Sequence, residues 1–243
     1  MTEPYFIKPV RSWDDVHVRY SESRWRLLKN LRAEALSIIS ALRKWDVEAY
    51  AHGSVARGDV EPWSDVDVVV REVVPSHKIE LALKNEGFKI FSRKIAQATP
   101  RHVPKAHIYL DLREKIVVTF PLASFRAIEL DFYKFGGIVS HEGLIEGVRV
   151  PGCTKRLTVV RPVEDGHIEF GVVGREVEAS KVLDVNLETV LERERVLLRR
   201  DKIGRTGIFI SKVLEDDETF EKALKSFVES NPMLRRFYDK REG

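Results

Sequence analysis

Between residues 25 and 42, apolar side chains recur at Trp25, Leu28, Leu31, Ala35, Ile38, Ile39 and Leu42, with polar and charged residues in the gaps. Steps of three and four residues return to one side of a 3.6-residue turn, so the spacing predicts an amphipathic helix of about six turns, N-capped by Ser21 or Ser23. The pattern then shortens and becomes β-branched. VEAYAHG predicts a strand ending at Gly53, and VDVVVREV predicts a second. Pro75 opens a helix that runs through Leu83 and is closed by Gly87. FKIFSRKIAQA, AHIYLDL and KIVVTF read as strands, the last two joined by a turn at 113–115. In SFRAIELDFYKFGG, Phe125, Ile128, Phe132 and Phe135 share a helical face, with Ser124 as cap and Gly136-Gly137 as stop.

Beyond residue 140 the segments GVRVPG, RLTVVRP and HIEFGVVG are short, β-like and broken by Gly and Pro. REVEASKVLDVNLETVLERERVLLRRDKIGRTGIFI follows as helix, turn, helix and a Gly-containing ribbon, and ETFEKALKSFVES as a last helix. The expected class is α+β: residues 1–140 form a mixed sheet flanked by helices, and 141–243 a β-rich connection and a winged-helix-like module. No internal repeat or low-complexity segment interrupts this order.

Composition adds little to the architecture but excludes several functions. A 43% hydrophobic share in 243 residues supports a sizeable core. No apolar run reaches a bilayer's width and MTEPYFIKPVRSWDD has no apolar signal core, so a soluble, cytoplasmic protein is expected. The single cysteine, Cys153, cannot close an intrachain disulfide and is a poor basis for a zinc site. His52, His102, His107, His141 and His167 lack metal-ligand spacing. Four asparagines and one glutamine stand against 41 basic and 38 acidic residues, a bias resembling that of proteins from hot environments.

The chemistry concentrates in GSVARGDVEPWSDVDVVVR, residues 53–71. Alternate residues of a strand share a face and two residues advance about 6.6 Å, so Asp65 and Asp67 project together while Val66 and Val68 fill the other side. Two carboxylates held that close cost stability unless a cation balances them. Two Mg²⁺ ions about 3.5–4 Å apart would do so. Upstream, Gly53-Ser54 ends a strand and VARG begins a short helical turn whose free amides suit a phosphate, with the Ser54 hydroxyl and the Arg57 charge beside them. GSVARG matches the GxxxxG half of a P-loop, but Asp59 and Val60 stand where Lys and Ser/Thr belong, and no GxGxxG fingerprint is present.

His52-Gly53-Ser54 followed by Asp65-Val66-Asp67-Val68, with Ala56-Arg57-Gly58 and Ser64 between, resembles the DNA polymerase β-like nucleotidyltransferases, whose signature is hG[GS], about ten residues, then Dh[DE]h. Specific over residues 47–71, it is closest to the minimal nucleotidyltransferase branch. The resemblance implies transfer of NMP from an NTP with two Mg²⁺ ions. It gives Asp65 and Asp67 as metal ligands and Gly53, Ser54, Arg57 and Ser64 as the nucleotide-binding set. It also implies a third carboxylate on a later strand. Asp111, between Leu110 and Leu112, fits best, ahead of Glu114 at the turn and of Glu129 and Asp131 on the polar helix face.

The acceptor stays open, with nucleic acid or protein favoured. Lys89, Arg93, Lys94, Arg101, His102 and Lys105 lie in a stretch without acids, and Arg199, Arg200, Lys202 and Arg205 form a second cluster, so segments 89–105 and 199–205 are the expected contacts for nucleic acid. Ser180, the turn at 183–185 and Val190 have helix-turn-helix spacing with KIGRTGIFI as a wing, although Asp184 replaces the usual turn glycine. The alternative function is a nucleic-acid-binding regulator with a nucleotide-sensing, non-catalytic domain.

Overall fold

The computed structural model describes residue 9 and residues 14–204 and 207–235. In chain order its elements are β1 (Val16–Arg19), α1 (Glu22–Arg43), β2 (Ala49–His52), α2 (Ser54–Arg57), β3 (Val66–Val70), α3 (Ser76–Asn85), β4 (Ser92–Gln97), β5 (Lys105–Tyr109), β6 (Ile116–Pro121), α4 (Ala127–Gly136), β7 (Ile138–Val139), α5 (His141–Ile145), β8 (Gly152–Cys153), β9 (Thr158–Val163), β10 (Gly166–Gly171), α6 (Glu176–Leu183), α7 (Leu187–Ile203), β11 (Ile210–Val213) and α8 (Phe220–Ser230). The expected mixture of helices and sheet strands is present.

By proximity the chain divides into two compact units, one comprising 1–40, 50–67 and 126–206 and the other 41–49, 68–125 and 207–243, and residue 140 lies within the first. Long-range strand pairing, which local patterning does not encode, brings Ile210–Val213 to β4.

In the first unit, β1-β10-β9-β8 form an antiparallel sheet. β9 and β10 are a hairpin whose loop is Glu164 and Asp165. β1, which the sequence pattern did not predict, pairs along β10 from Val16↔Glu169 to Arg19↔Gly166. β2 pairs separately with β7, Ala51↔Val139. Helices α6 and α7 close over a core that includes Leu157, Val159, Phe170, Ala179 and Val190. Asp184 makes the turn between them in a left-handed conformation, φ 49, ψ 50, which Asp tolerates better than most residues. The helix–turn–helix order is therefore real.

KIGRTGIFI was expected to form a wing; Arg205 and Thr206 lie outside the described residues, and Ile210–Val213 pair antiparallel with β4, Ile210↔Gln97 to Val213↔Lys94. The second unit is built on that pairing, in the order β11-β4-β5-β6. Its core lies on one face, where the Phe120 and Phe220 rings meet edge to face at 5.4 Å and Ile95, Ile108 and Val118 are buried. Glu221 of α8 accepts the backbone N–H and hydroxyl of Ser76, fixing the start of α3. Arg93, expected on a basic surface, is half-buried on the same face. Its guanidinium donates to the carbonyls of Glu215, Asp216 and Glu218 and pairs with Glu80.

Helix α4 is rotated from its expected register. Tyr133, Phe135 and Glu129 are buried, and Arg126 rather than Ser124 precedes the first turn. Glu129, expected on the polar face, reaches back to accept the Arg126 backbone N–H. Among the described residues no helix is long and apolar enough to cross a membrane.

Candidate active site

Asp65 immediately precedes β3 and Asp67 is its second residue. Val66, Val68, Val69 and Val70 are buried, which anchors the strand, while Asp65 is exposed and Asp67 only half-buried. The alternation expected from the sequence is therefore in place over the aspartates. Asp67 feels its environment strongly. Withdrawal from water, and then the neighbouring Asp65 charge, push its carboxyl up to about 6, against the pull of Lys155 and Arg57.

Gly53 brings a bend against this carboxylate. It has φ +73, and a Cβ there would lie 3.8 Å from Asp67 Oδ2. Its N–H donates to Gly137 O at 3.0 Å, and its carbonyl accepts the amides of Ala56 and Arg57, so the bend is fixed from both sides. Ser54 opens α2, whose first-turn amides have no helical carbonyl ahead of them. Gly58, φ +101, ends the turn.

Arg57 and Ser64 are placed differently from expectation. Arg57 is buried, with Nε and Nη2 each 2.9 Å from the two Asp59 oxygens and Nη1 donating to Gly136 O. With its fork engaged by Asp59 and a carbonyl, it is a buried strut that contributes charge to Asp67. The Ser64 hydroxyl accepts the Glu61 N–H at 2.9 Å and steadies the turn before Asp65.

Asp111 also departs from its expected position. It follows β5 in the turn to β6 rather than lying in the strand. Its oxygens accept three backbone amides, those of Arg113 (3.0 Å), Lys115 (2.7 Å) and Ile116 (2.8 Å), the pattern by which Asp organises a tight turn. Among the described residues no three His, Cys, Asp or Glu side chains gather as a metal-holding group. The two interpretations of Asp111 predict opposite results for Asp111→Asn. The turn bonds predict a melting temperature lowered by the equivalent of about 1–2 kcal/mol with turnover retained. A ligand role predicts lost turnover at unchanged melting.

Residues 32–123, which include the Gly53 bend, Asp65 and Asp67, match the family model described as the nucleotidyltransferase domain. This stretch is similar to that family. The match agrees with the polymerase β-like resemblance drawn from residues 47–71. No curated protein sequence matches the chain.

Side chains from outside the matched stretch bear electrostatically on Asp67. Tyr133 of α4 is buried, and burial, Asp67 and Glu129 together hold its hydroxyl protonated far above the ordinary range. Lys155, in the loop after β8, pulls on Asp67 electrostatically. The His52 ring donates from Nδ1 to Gly137 O (2.9 Å) and packs edge-on against Tyr133 at 5.3 Å. A Cβ at Gly136 would fall 2.4 Å from His52 Cε1, so only glycine admits the ring. Asp131 accepts a hydrogen bond from Thr189 of α7. Neither Tyr133 nor Lys155 belongs to a spacing motif, so no sequence signal pointed to them.

Proposed function

We propose that the chain transfers NMP from an NTP to an acceptor hydroxyl, with Asp65 and Asp67 binding Mg²⁺. The carrying observation is the Asp67 carboxylate set against the Gly53 bend, beside a second carboxylate, inside the stretch similar to the nucleotidyltransferase domain. The donor set fits the metal: it offers only oxygen, and its inner carboxylate lacks enough positive charge nearby to ionise at its ordinary pH. Mg²⁺ takes one or two carboxylates and completes its shell with water and substrate phosphate, so the pair would fit without a third acid. When bound, the metal acidifies the attacking hydroxyl and steadies the departing pyrophosphate.

The chain's own residues do the positioning. Gly53, having no side chain, leaves room for a phosphate against the bend, and the Ser54 hydroxyl and first-turn amides of α2 supply donors to it. Arg57, locked by Asp59 and Gly136, keeps a fixed positive charge behind the pair, and positioning with charge neutralisation accounts for most of the rate in such transfers.

A second reading is favoured by one observation, the engagement of Asp111 in its own turn: a domain that binds nucleotide without turning it over. Incubation with each α-labelled NTP, Mg²⁺ and total cellular RNA and protein decides between them. Label entering a macromolecular fraction, and falling at least about a hundredfold with Asp67→Asn, supports transfer. A Mg·NTP-dependent rise in melting temperature with no label in any fraction supports sensing.

A further inference from the structure

Helix α7 turns one apolar stripe toward its neighbours, and an arginine interrupts it. Val190 and Leu197 are buried in the core that α6 and α7 close over. Arg193 lies three residues after the first and four before the second, so it shares their face. Thr189, one turn earlier, is buried on the same side and donates to Asp131 of α4. The Arg193 guanidinium lies 4.7 Å over the Phe132 ring of α4. Its Nε is enclosed and has no hydrogen-bond partner, while the side chain as a whole is only half-buried. Among the described residues, Arg193 makes no hydrogen bond and no ion pair through its side chain. Burial, and then the charge of Arg200, hold its pKa below the ordinary arginine value; Cys153 and Glu192 act the other way and by less. Arg200 is two turns further along the helix and exposed, and among the described residues its side chain also has no ion pair.

A leucine or methionine at 193 would complete the stripe at no electrostatic cost. An arginine there takes a charge partly out of water and leaves an N–H unsatisfied, which is destabilising unless something compensates. Stacking on Phe132 covers one face of the guanidinium plane, but the N–H groups point outward within that plane and gain no acceptor from it. A local rule broken without compensation inside the fold marks a place where function supplies the missing partner. That partner is an oxyanion, because the planar fork of donors matches two oxygens on one centre. Arg200 makes the same demand, since two guanidinium groups within reach of each other repel until an anion joins them. Position selects phosphate among oxyanions. Phe132, beneath Arg193, has its ring 6.1 Å from that of His52, the residue before the Gly53 bend, and the Cys153 thiol feels both Arg57 and Arg193. Arg200 also belongs to the basic segment 199–205. We propose that Arg193 and Arg200 bind a phosphate group, that of the nucleotide substrate or of a polynucleotide acceptor. The choice of phosphate rests on the reading above; the anion site itself rests on Arg193.

The test is equilibrium binding of two probes to the full chain with Mg²⁺: inorganic tripolyphosphate, followed by calorimetry, and a labelled uridine dodecamer, followed by fluorescence anisotropy across a salt series. Arg193→Met is expected to melt no lower than wild type and to weaken one of the probes about tenfold or more. Loss of tripolyphosphate assigns the phosphate to the nucleotide. Loss of the dodecamer assigns it to the acceptor, and there the log–log salt slope should flatten by about 0.7 for the one lost contact. Arg200→Ala should weaken the same probe by about threefold, as befits a solvated contact. The proposal is overturned if wild type binds neither probe at low salt, or if Arg193→Met melts well below wild type with both affinities kept, the mark of a purely structural cation. Should Arg193→Met fail to fold, Arg200→Ala decides, because it leaves the apolar stripe untouched: unchanged affinity for both probes overturns the proposal. Binding lost in the variants while wild type never incorporates label sinks the transfer reading and leaves this site standing. Label incorporated by wild type, with both affinities unchanged in the variants, does the reverse.

Discussion

Asp67→Asn is expected to stop nucleotide transfer and, in the absence of divalent cations, to raise the melting temperature at pH 7.5 by about 2–8 °C. The Asp67 carboxyl moves from 3.8 to about 6 on folding, through withdrawal from water first and the Asp65 charge second. Its folded value exceeds its unfolded one, so the folded chain holds the proton more tightly. Stability from this group is complete below about pH 4, is lost as pH rises to about 6, and stays lost above it. The full shift corresponds to about 3 kcal/mol, and allowing for the partial exposure of the side chain leaves about 1–2 kcal/mol. At about 2–4 °C per kcal/mol for a chain of this size, the asparagine variant, which never carries the charge, gains the stated amount. Its advantage over wild type should vanish at pH 4, where wild type is protonated, and shrink at pH 7.5 when Mg²⁺ supplies the counter-charge. Melting curves of both proteins at the two pH values, with and without Mg²⁺, check this; equal curves throughout would contradict the assignment of Asp67 as a strained, charge-seeking carboxylate.

Gly152→Ala should cost about 3 kcal/mol, a fall of roughly 6–12 °C in melting temperature, and should depress transfer as well. A Cβ at 152 would lie 2.6 Å from Arg57 Cδ and 2.7 Å from both Gly136 O and Gly137 N. Two of these three are backbone atoms, so no rotamer change relieves the overlap. Arg57 cannot retreat either, since moving it breaks the Asp59 pair and the Gly136 bond and leaves a buried charge unpaired. The strain passes to Gly137, whose carbonyl holds the Gly53 N–H and thereby the bend beside Asp67. Gly207→Ala is the control, because nothing lies within 4 Å of a Cβ there and its φ is unstrained. Thermal denaturation of the two variants, followed by the labelling assay, tests the chain of contacts.

Much of the local structure was legible. The apolar spacing from Trp25 to Leu42 became a helix of 22 residues, with Leu28, Ala35, Ile38, Ile39 and Leu42 buried. RLTVVRP and HIEFGVVG became the paired strands β9 and β10. Gly87 closed α3 in a left-handed conformation, φ +84, as a glycine past a helix end should. The departures share a cause. Arg57 meets Gly136, 79 residues away, and β11 meets β4 more than a hundred residues back. Asp111 is the exception, because its turn bonds span only two to five residues, and DLREK could have been read as an Asx-type turn had the strand alternation around it not been weighted more heavily.

By itself, the sequence determined most of the helices and strands, the Gly53 bend, and two alternate carboxylates at the start of β3, because each depends on backbone preference and side-chain period over a few neighbouring residues. Only the tertiary structure decided that Arg57 is a strut, that Asp111 organises a turn, that Tyr133 and Lys155 bear on Asp67, and that Ile210–Val213 form a sheet edge. Those outcomes are set by which distant groups compete for each hydrogen bond and each buried surface, and that competition exists only once the chain has closed on itself.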